Sequence, residues 1–135
     1  MSSGTRPDTP SWLVACLCAA WCRTCDGYRE VMGEAARRHP GWRFAWIDIE
    51  DHADALDDAQ GAAEDIETFP TLLVAFGGQA RFFGPVLPHA GVLARLLAQA
   101  KVAQLPVLAD TRSARIAEAA GRLWAEGAAD VRVAG

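Results

Sequence analysis

The sequence lacks three features that would each define a class of protein. It has no cluster of lysine and arginine residues, and its net charge at pH 7 is -4, so it offers no basic face for nucleic acid. It has no apolar run near the ~20 residues that a membrane-spanning helix needs. It also has no internal repeat. What remains is a chain of 135 residues that is 51% hydrophobic, which is enough to build one domain around a core.

The N-terminal region falls short of the pattern that directs export. Residues 12–20 are apolar, Arg6 lies upstream, and the segment 13–16 matches the lipoprotein processing pattern. In a lipoprotein signal, however, the apolar run precedes the cysteine, whereas residues 1–11 are polar and interrupted by proline. We therefore expect residues 1–11 to be a flexible leader and the protein to be cytoplasmic with reduced thiols.

Alternating apolar segments predict an α/β chain of the order β-α-β-α-β-β-α, followed by one more helix. Two of the predicted strands are apolar throughout, which suits central positions in a sheet. Gly77 and Gly78 predict a two-residue hairpin turn that leads into an edge strand. The predicted strands are 12–18, 43–49, 71–76 and 80–83, and the predicted helices run from the cysteine motif to His39, over 51–66, from Pro88 and over 111–126.

The last predicted helix lies beyond the alternating region. Its apolar residues recur at helical spacing, and Gly127 ends it. We expect this apolar stripe to pack on the domain, with a dimer face as the alternative. The predicted organisation is a leader at 1–11, a domain at 12–104 and a helical extension at 105–135. The stripe consists of Ile116, Ala119, Ala120, Leu123 and Trp124.

Cys22 and Cys25 form a C-x-x-C motif where the first strand gives way to a helix. This spacing lets two sulfurs close a small ring, and the N-terminus of a helix favours a thiolate. We expect Cys22 to be the exposed, attacking thiol and Cys25 to be more buried and to resolve the mixed disulfide. Arg23 adds positive charge beside Cys22 and should lower its pKa further. The motif therefore predicts thiol–disulfide exchange.

The motif and a second segment together resemble the thioredoxin family. Trp21-Cys22-Arg23-Thr24-Cys25 follows an apolar strand, and Phe69-Pro70-Thr71 comes about 45 positions later. The resemblance covers roughly residues 12–102. It implies a thioredoxin-like fold, with a four-stranded mixed sheet flanked by helices. It also implies exchange of disulfides with protein substrates, and electrons from a thioredoxin-reductase-type or glutathione-linked system.

The resemblance also implies roles for individual residues. Pro70 would be a cis-proline packed against the cysteine motif, and Phe69 its neighbour that contacts a substrate peptide. Trp21 would shield the disulfide and touch partners. Gly84 corresponds to a family glycine that follows the last strand and opens the binding groove. The only redox group implied is the Cys22–Cys25 disulfide, with no bound cofactor, in a monomer or weak dimer.

Three departures from the family pattern bear on activity. Cys16 stands six residues before the first motif cysteine, where thioredoxins usually carry a buried aspartate that accepts a proton from the second cysteine. The lysine that partners this aspartate would fall near Trp46. The middle pair of the motif is Arg23-Thr24 instead of Gly-Pro. An alternative is therefore an adaptor or binding module that keeps the fold but reduces disulfides poorly.

A thiolate carrier of zinc or copper is the other alternative. Cys16, Cys18, Cys22 and Cys25 place four thiols within ten residues, a composition suited to zinc. In a strand, however, Cys16 and Cys18 share one face beneath the helices, while the following helix would lead away from the strand end. Convergence of four sulfurs would then require the strand to break. Cys16 and Cys18 are therefore predicted to be small core residues, with a secondary redox role for Cys18 left open.

Overall fold

The structure is a computed structural model that describes residues 12–18, 23–49, 70–86, 89–101, 106–126 and 131, and the backbone alone at residues 23, 24 and 101. The described elements alternate in the predicted manner. They are the strands β1 (Trp12–Cys18), β2 (Arg43–Asp48), β3 (Thr71–Phe76) and β4 (Gln79–Pro85), and the helices α1 (Arg23–Arg38), α2 (Ala90–Lys101) and α3 (Thr111–Ala125). Three predictions lie outside the described residues. They are the leader at 1–11, the helix at 51–66 and the start of the following helix at Pro88.

The four strands form one mixed sheet in the order β2-β1-β3-β4. β1 is parallel to β2 and antiparallel to β3, and β4 is antiparallel to β3. The two strands predicted to be central are central, and residues 13–18 of β1 are at most 2% exposed. Both faces of β1 are covered because it has no polar residue to present to water. The predicted four-stranded mixed sheet is confirmed.

The β3–β4 hairpin confirms the predicted turn at the sheet edge. Gly77 and Gly78 have φ values of 59° and 86°, a left-handed conformation that glycine adopts without the steric cost of a side chain. β4 is longer than predicted because its pairing with β3 continues as far as Pro85. A proline is tolerated there since an edge strand does not need every N–H for the ladder.

The helices cover the two faces of the sheet. α1 and α2 pack on one face together with alternate residues of β1, namely Val14, Cys16 and Cys18. α3 packs on the opposite face, against the other alternate set of β1 residues. The side-chain period of two in a strand divides these sets. The α3 residues buried in that face include four of the predicted stripe, Ile116, Ala119, Ala120 and Leu123.

Two further observations complete the fold. Asp110 caps α3, since its carboxylate accepts a hydrogen bond of 2.9 Å from the Ser113 N–H. Within the described ranges, no helix combines the length and the apolar composition that crossing a bilayer demands. The division of the chain into leader, domain and extension remains a prediction.

Candidate functional site

Cys25 is joined to Cys18 by a disulfide bond in this structure. Cys18 is the last residue of β1 and Cys25 is the third residue of α1, with their Cα atoms 6.0 Å apart. Both side chains are buried, at 2% and 1% exposure. Cys22 and Trp21 lie outside the described residues, so the predicted Cys22–Cys25 pairing stays a prediction. The prediction that Cys16 and Cys18 lie in the core is confirmed, and Cys18 is in addition bonded to Cys25.

The course of α1 explains the Cys18–Cys25 contact. α1 begins five positions after β1 ends and packs on the face of the sheet that carries Cys16 and Cys18. Its first turn therefore lies over the end of β1. The expectation that the helix would lead its cysteines away from the strand is wrong, because the sulfurs of Cys18 and Cys25 meet while β1 stays intact to its last residue.

A third sulfur lies beside this disulfide. The Sγ atom of Cys16 is 3.4 Å from the Sγ atom of Cys18, and Cys16 is fully buried. Cys18 has no proton to give while it is bonded to Cys25, so the Cys16 thiol is the donor in this contact. Among the described residues, no group of three or more histidine, cysteine, aspartate and glutamate side chains is arranged to hold a metal ion. In this state two of the three sulfurs carry no thiolate to offer one.

Among the residues that the structure describes, the core around the disulfide contains no buried charged side chain. Cys16 pairs with Trp46 in the parallel register. A tryptophan therefore stands where the family resemblance would place the lysine that partners the buried aspartate. The buried polar residues of the described part are Thr71 and Ser113 alone. The strand register pairs Cys18 with Asp48, which is half-buried. Paired residues of neighbouring strands point to the same face, so Asp48 shares the face of Cys18.

Tyr28 is the other titratable group packed in this cluster. It lies one helical turn after Cys25, is 1% exposed, and its hydroxyl has no hydrogen-bond partner among the described residues. Burial raises the pKa of Tyr28, and a negative charge on Cys16 raises it further. Tyr28 was not among the site residues predicted from the sequence. Its spacing of three residues from Cys25 was the available signal that it would face the same cluster.

The remaining predicted site residues are partly placed. Pro70 is buried directly before β3, and its carbonyl accepts a hydrogen bond of 3.1 Å from the Val86 N–H. Because Leu17 pairs with Thr71, continuing the register sets Pro70 opposite Cys18. The structure therefore brings Pro70 to the end of the sheet that holds the disulfide. The cis peptide bond stays a prediction, and Phe69 lies outside the described residues.

Gly84, Arg23 and Thr24 are less informative. Gly84 pairs with Leu72 inside β4, whereas the resemblance placed it after the strand. A Cβ atom added there would meet Phe82 at 3.9 Å, an ordinary contact, so close packing does not require a glycine. Arg23 and Thr24 are the first residues of α1, where the structure describes the backbone alone. The expected effect of Arg23 on the pKa of Cys22 remains a prediction.

Comparison with known proteins identifies the fold. No protein-family model matches the sequence, and no curated protein matches it either. Solved structures do match. The germline-specific thioredoxin Deadhead from Drosophila melanogaster is 14% identical with a TM-score of 0.55, over 66% of this chain and 80% of its own. Mitochondrial thioredoxin 3 from Saccharomyces cerevisiae, in its oxidised form, gives 17% and 0.56, over 69% and 82%.

Thioredoxin O1 from Arabidopsis thaliana, in its oxidised state, is 22% identical with a TM-score of 0.53, over 66% of this chain and 77% of its own. These matches show that this chain has the thioredoxin fold. The fold predicted from the cysteine motif and from Pro70 is confirmed. Identities this low establish the fold and leave the activity to be argued from the cysteines.

Proposed function

We propose that this protein is a thiol–disulfide oxidoreductase that acts on protein disulfides through Cys22 and Cys25. The observation that carries the proposal is the disulfide of Cys25 in the first turn of α1, in a chain with the thioredoxin fold. A sulfur that forms a disulfide at the start of a helix supports a role for Cys25 in thiol–disulfide exchange. The start of a helix also favours the thiolate that such exchange requires.

The reaction would proceed in two exchange steps. The Cys22 thiolate attacks one sulfur of a substrate disulfide, forming a mixed disulfide and releasing the other substrate sulfur as a thiolate. The Cys25 thiolate then attacks Cys22, forming the Cys22–Cys25 disulfide and releasing the second substrate thiolate. The substrate gains two electrons and the dithiol loses two. A thioredoxin-reductase-type or glutathione-linked donor would return them.

Proton transfer from Cys25 needs an acceptor in this scheme. With Cys16 in place of a buried carboxylate, we assign this role to Asp48, which shares the face of Cys18 and stands next to it in register. Asp48 is half-buried, so solvent also reaches it. The protein is expected to act in the cytoplasm as a monomer or weak dimer, without a bound cofactor.

Insulin reduction by dithiothreitol tests the proposed activity. The wild type should accelerate the precipitation of reduced insulin chains, and Cys22→Ser, which keeps the other three cysteines, should return the rate to that of dithiothreitol alone. Far-UV circular dichroism of both proteins checks that the variant folds. A wild-type rate equal to that of Cys22→Ser would reject the enzyme in favour of a second candidate.

That second candidate is a binding module with the same fold. The bond between Cys25 and Cys18 favours it, because a resolving thiol held in the core is unable to release a substrate. A binding module would retain peptides without catalysing turnover. The insulin assay separates the two, since it measures turnover and not binding.

A further inference from the structure

Among the cysteines that the structure describes, Cys18 has one partner within reach for a disulfide, namely Cys25. Side chains on the same face of a strand, two residues apart, are separated by about 6.6 Å, twice the rise per residue. The Cβ atoms of a disulfide lie about 3.5–4.5 Å apart. β1 is paired on both sides, to β2 and β3, so it is held extended. Cys16 therefore contacts the Cys18 sulfur without being able to bond to it, and of the described cysteines Cys25 alone is bonded to Cys18.

Cys25 is in the opposite position, because two cysteines compete for it. The structure joins it to Cys18, and the proposed function joins it to Cys22. We propose that Cys18 is a second exchange partner of Cys25, and that disulfide transfer from Cys22–Cys25 to Cys18–Cys25 moves the oxidised bond into the core and returns Cys22 to its thiol form. This inference rests on the proposed function and assigns it a further exchange cysteine.

The transfer is balanced within the chain. The Cys18 thiolate attacks the Cys25 sulfur, the Cys18–Cys25 bond forms, the Cys22–Cys25 bond breaks, and Cys22 leaves as a thiolate. The proton lost by Cys18 and the proton gained by Cys22 cancel, so no external oxidant or reductant takes part. In the reverse direction Cys18 is the leaving group, and the Cys16 thiol at 3.4 Å donates a hydrogen bond to its developing charge. Cys16 is in this sense a positioning residue.

The consequence is a change in how captured disulfides are handled. While Cys25 is bonded to Cys18, a mixed disulfide on Cys22 has no resolving thiol and persists. When Cys18–Cys25 is reduced, Cys25 resolves the adduct and the substrate leaves. Cys18 thus controls whether the protein turns substrates over or retains them.

Reaction of the reduced protein with excess glutathione disulfide tests this assignment. After acid quenching and alkylation, trypsin cleaves after Arg23 and separates Cys25 from the other cysteines, and fragmentation identifies its partner. The wild type should show Cys22–Cys25 first and Cys18–Cys25 later, with Cys22 glutathionylated in the final product. Cys18→Ala should stop at Cys22–Cys25 and carry at least tenfold less persistent adduct. Cys16→Ala keeps both exchange partners of Cys25, so it should form the same two disulfides and should differ from the wild type only in a slower reverse transfer, the step in which Cys16 donates its hydrogen bond to Cys18.

The role of Cys18 can be rejected while the proposed function stands. If the wild type reduces insulin but Cys22–Cys25 is its final disulfide, Cys18 is no exchange partner and the proposed function stands. Equal glutathione adducts in wild type and Cys18→Ala would also overturn the inference. If Cys18→Ala does not fold, Cys22→Ser provides the second test, because it should lose two thiols on oxidation with diamide and retain one. Retention of all three would overturn the assignment, whereas an inactive wild type in the insulin assay would reject the proposed function itself.

Discussion

Replacing Tyr28 with phenylalanine should stabilise the protein. The Tyr28 side chain is 1% exposed, and its hydroxyl has no hydrogen-bond partner among the described residues. A buried, unsatisfied polar group costs about 1–3 kcal/mol, and Tyr28→Phe removes that group while keeping the ring. We expect a gain of about 1 kcal/mol in the free energy of unfolding at pH 7. Urea denaturation followed by circular dichroism would measure it as a higher midpoint with an unchanged slope.

The same substitution should change how stability depends on pH. Burial is the main cause that raises the pKa of Tyr28 above its ordinary value. As the pH rises above about 10, the unfolded chain loses the phenolic proton while the native state keeps it. The native state then binds more protons, so stability falls by up to about 1.4 kcal/mol per pH unit from this group. Tyr28→Phe should lack this part of the fall.

The titration is observable because Tyr28 is the single tyrosine of the chain. Tyrosinate absorbance should stay low in the folded protein at pH 10 and appear only with unfolding. A loss of more than about 1 kcal/mol in Tyr28→Phe would show that the hydroxyl has a hydrogen-bond partner. Ionisation near pH 10 in the folded state would show that the hydroxyl reaches water. Either result would refute the reasoning.

Three further predictions concern the helix cap, the hairpin turn and the proton acceptor. Asp110→Ala should lower the Tm by a few degrees, whereas Asp110→Asn, which also caps helices well, should leave it near the wild-type value. Hydrogen bonding to Ser113 lowers the pKa of Asp110. The Tm difference between the wild type and Asp110→Ala should therefore shrink as the pH falls below about 4. Gly78→Ala should lower the free energy of unfolding by about 1–2 kcal/mol, since the φ of Gly78 is 86°. Gly27→Ala, in an open position of α1, should raise it by up to about 1 kcal/mol. Equal unfolding midpoints of the two variants in urea would contradict the account of the turn. Asp48→Asn should slow insulin reduction about tenfold or more at pH 7 and less at pH 9, and an unchanged rate at pH 7 would show that Asp48 does not accept the proton of Cys25.

The sequence was sufficient to predict the sheet. Strands β1 and β3 are apolar throughout, and two adjacent glycines mark the hairpin, so pattern alone identified the central strands and the edge. These features depend on local periodicity and on backbone sterics. The extent of β4 was missed because Pro85 ends a strand by pattern but is tolerated at an edge, where pairing decides the boundary.

The partner of Cys25 was not predictable in the same way. Period-two alternation correctly put Cys16 and Cys18 on one face, under the helices. It gave no information on how α1 turns back over that face, and the distance between Cys18 and Cys25 depends on that turn. A motif spacing of two residues favoured Cys22, while the contact with Cys18 arises from tertiary packing across a separation of seven residues.

The central claim is that Cys22 attacks a disulfide and Cys25 resolves the adduct. The most direct measurement uses Cys25→Ser, incubated in its reduced form with oxidised insulin and analysed by non-reducing electrophoresis and peptide mass. We expect a dithiothreitol-sensitive adduct whose substrate is attached to Cys22, and no adduct when Cys22→Ser is added to the same chain. The absence of any adduct, or attachment at Cys16 or Cys18, would contradict the account.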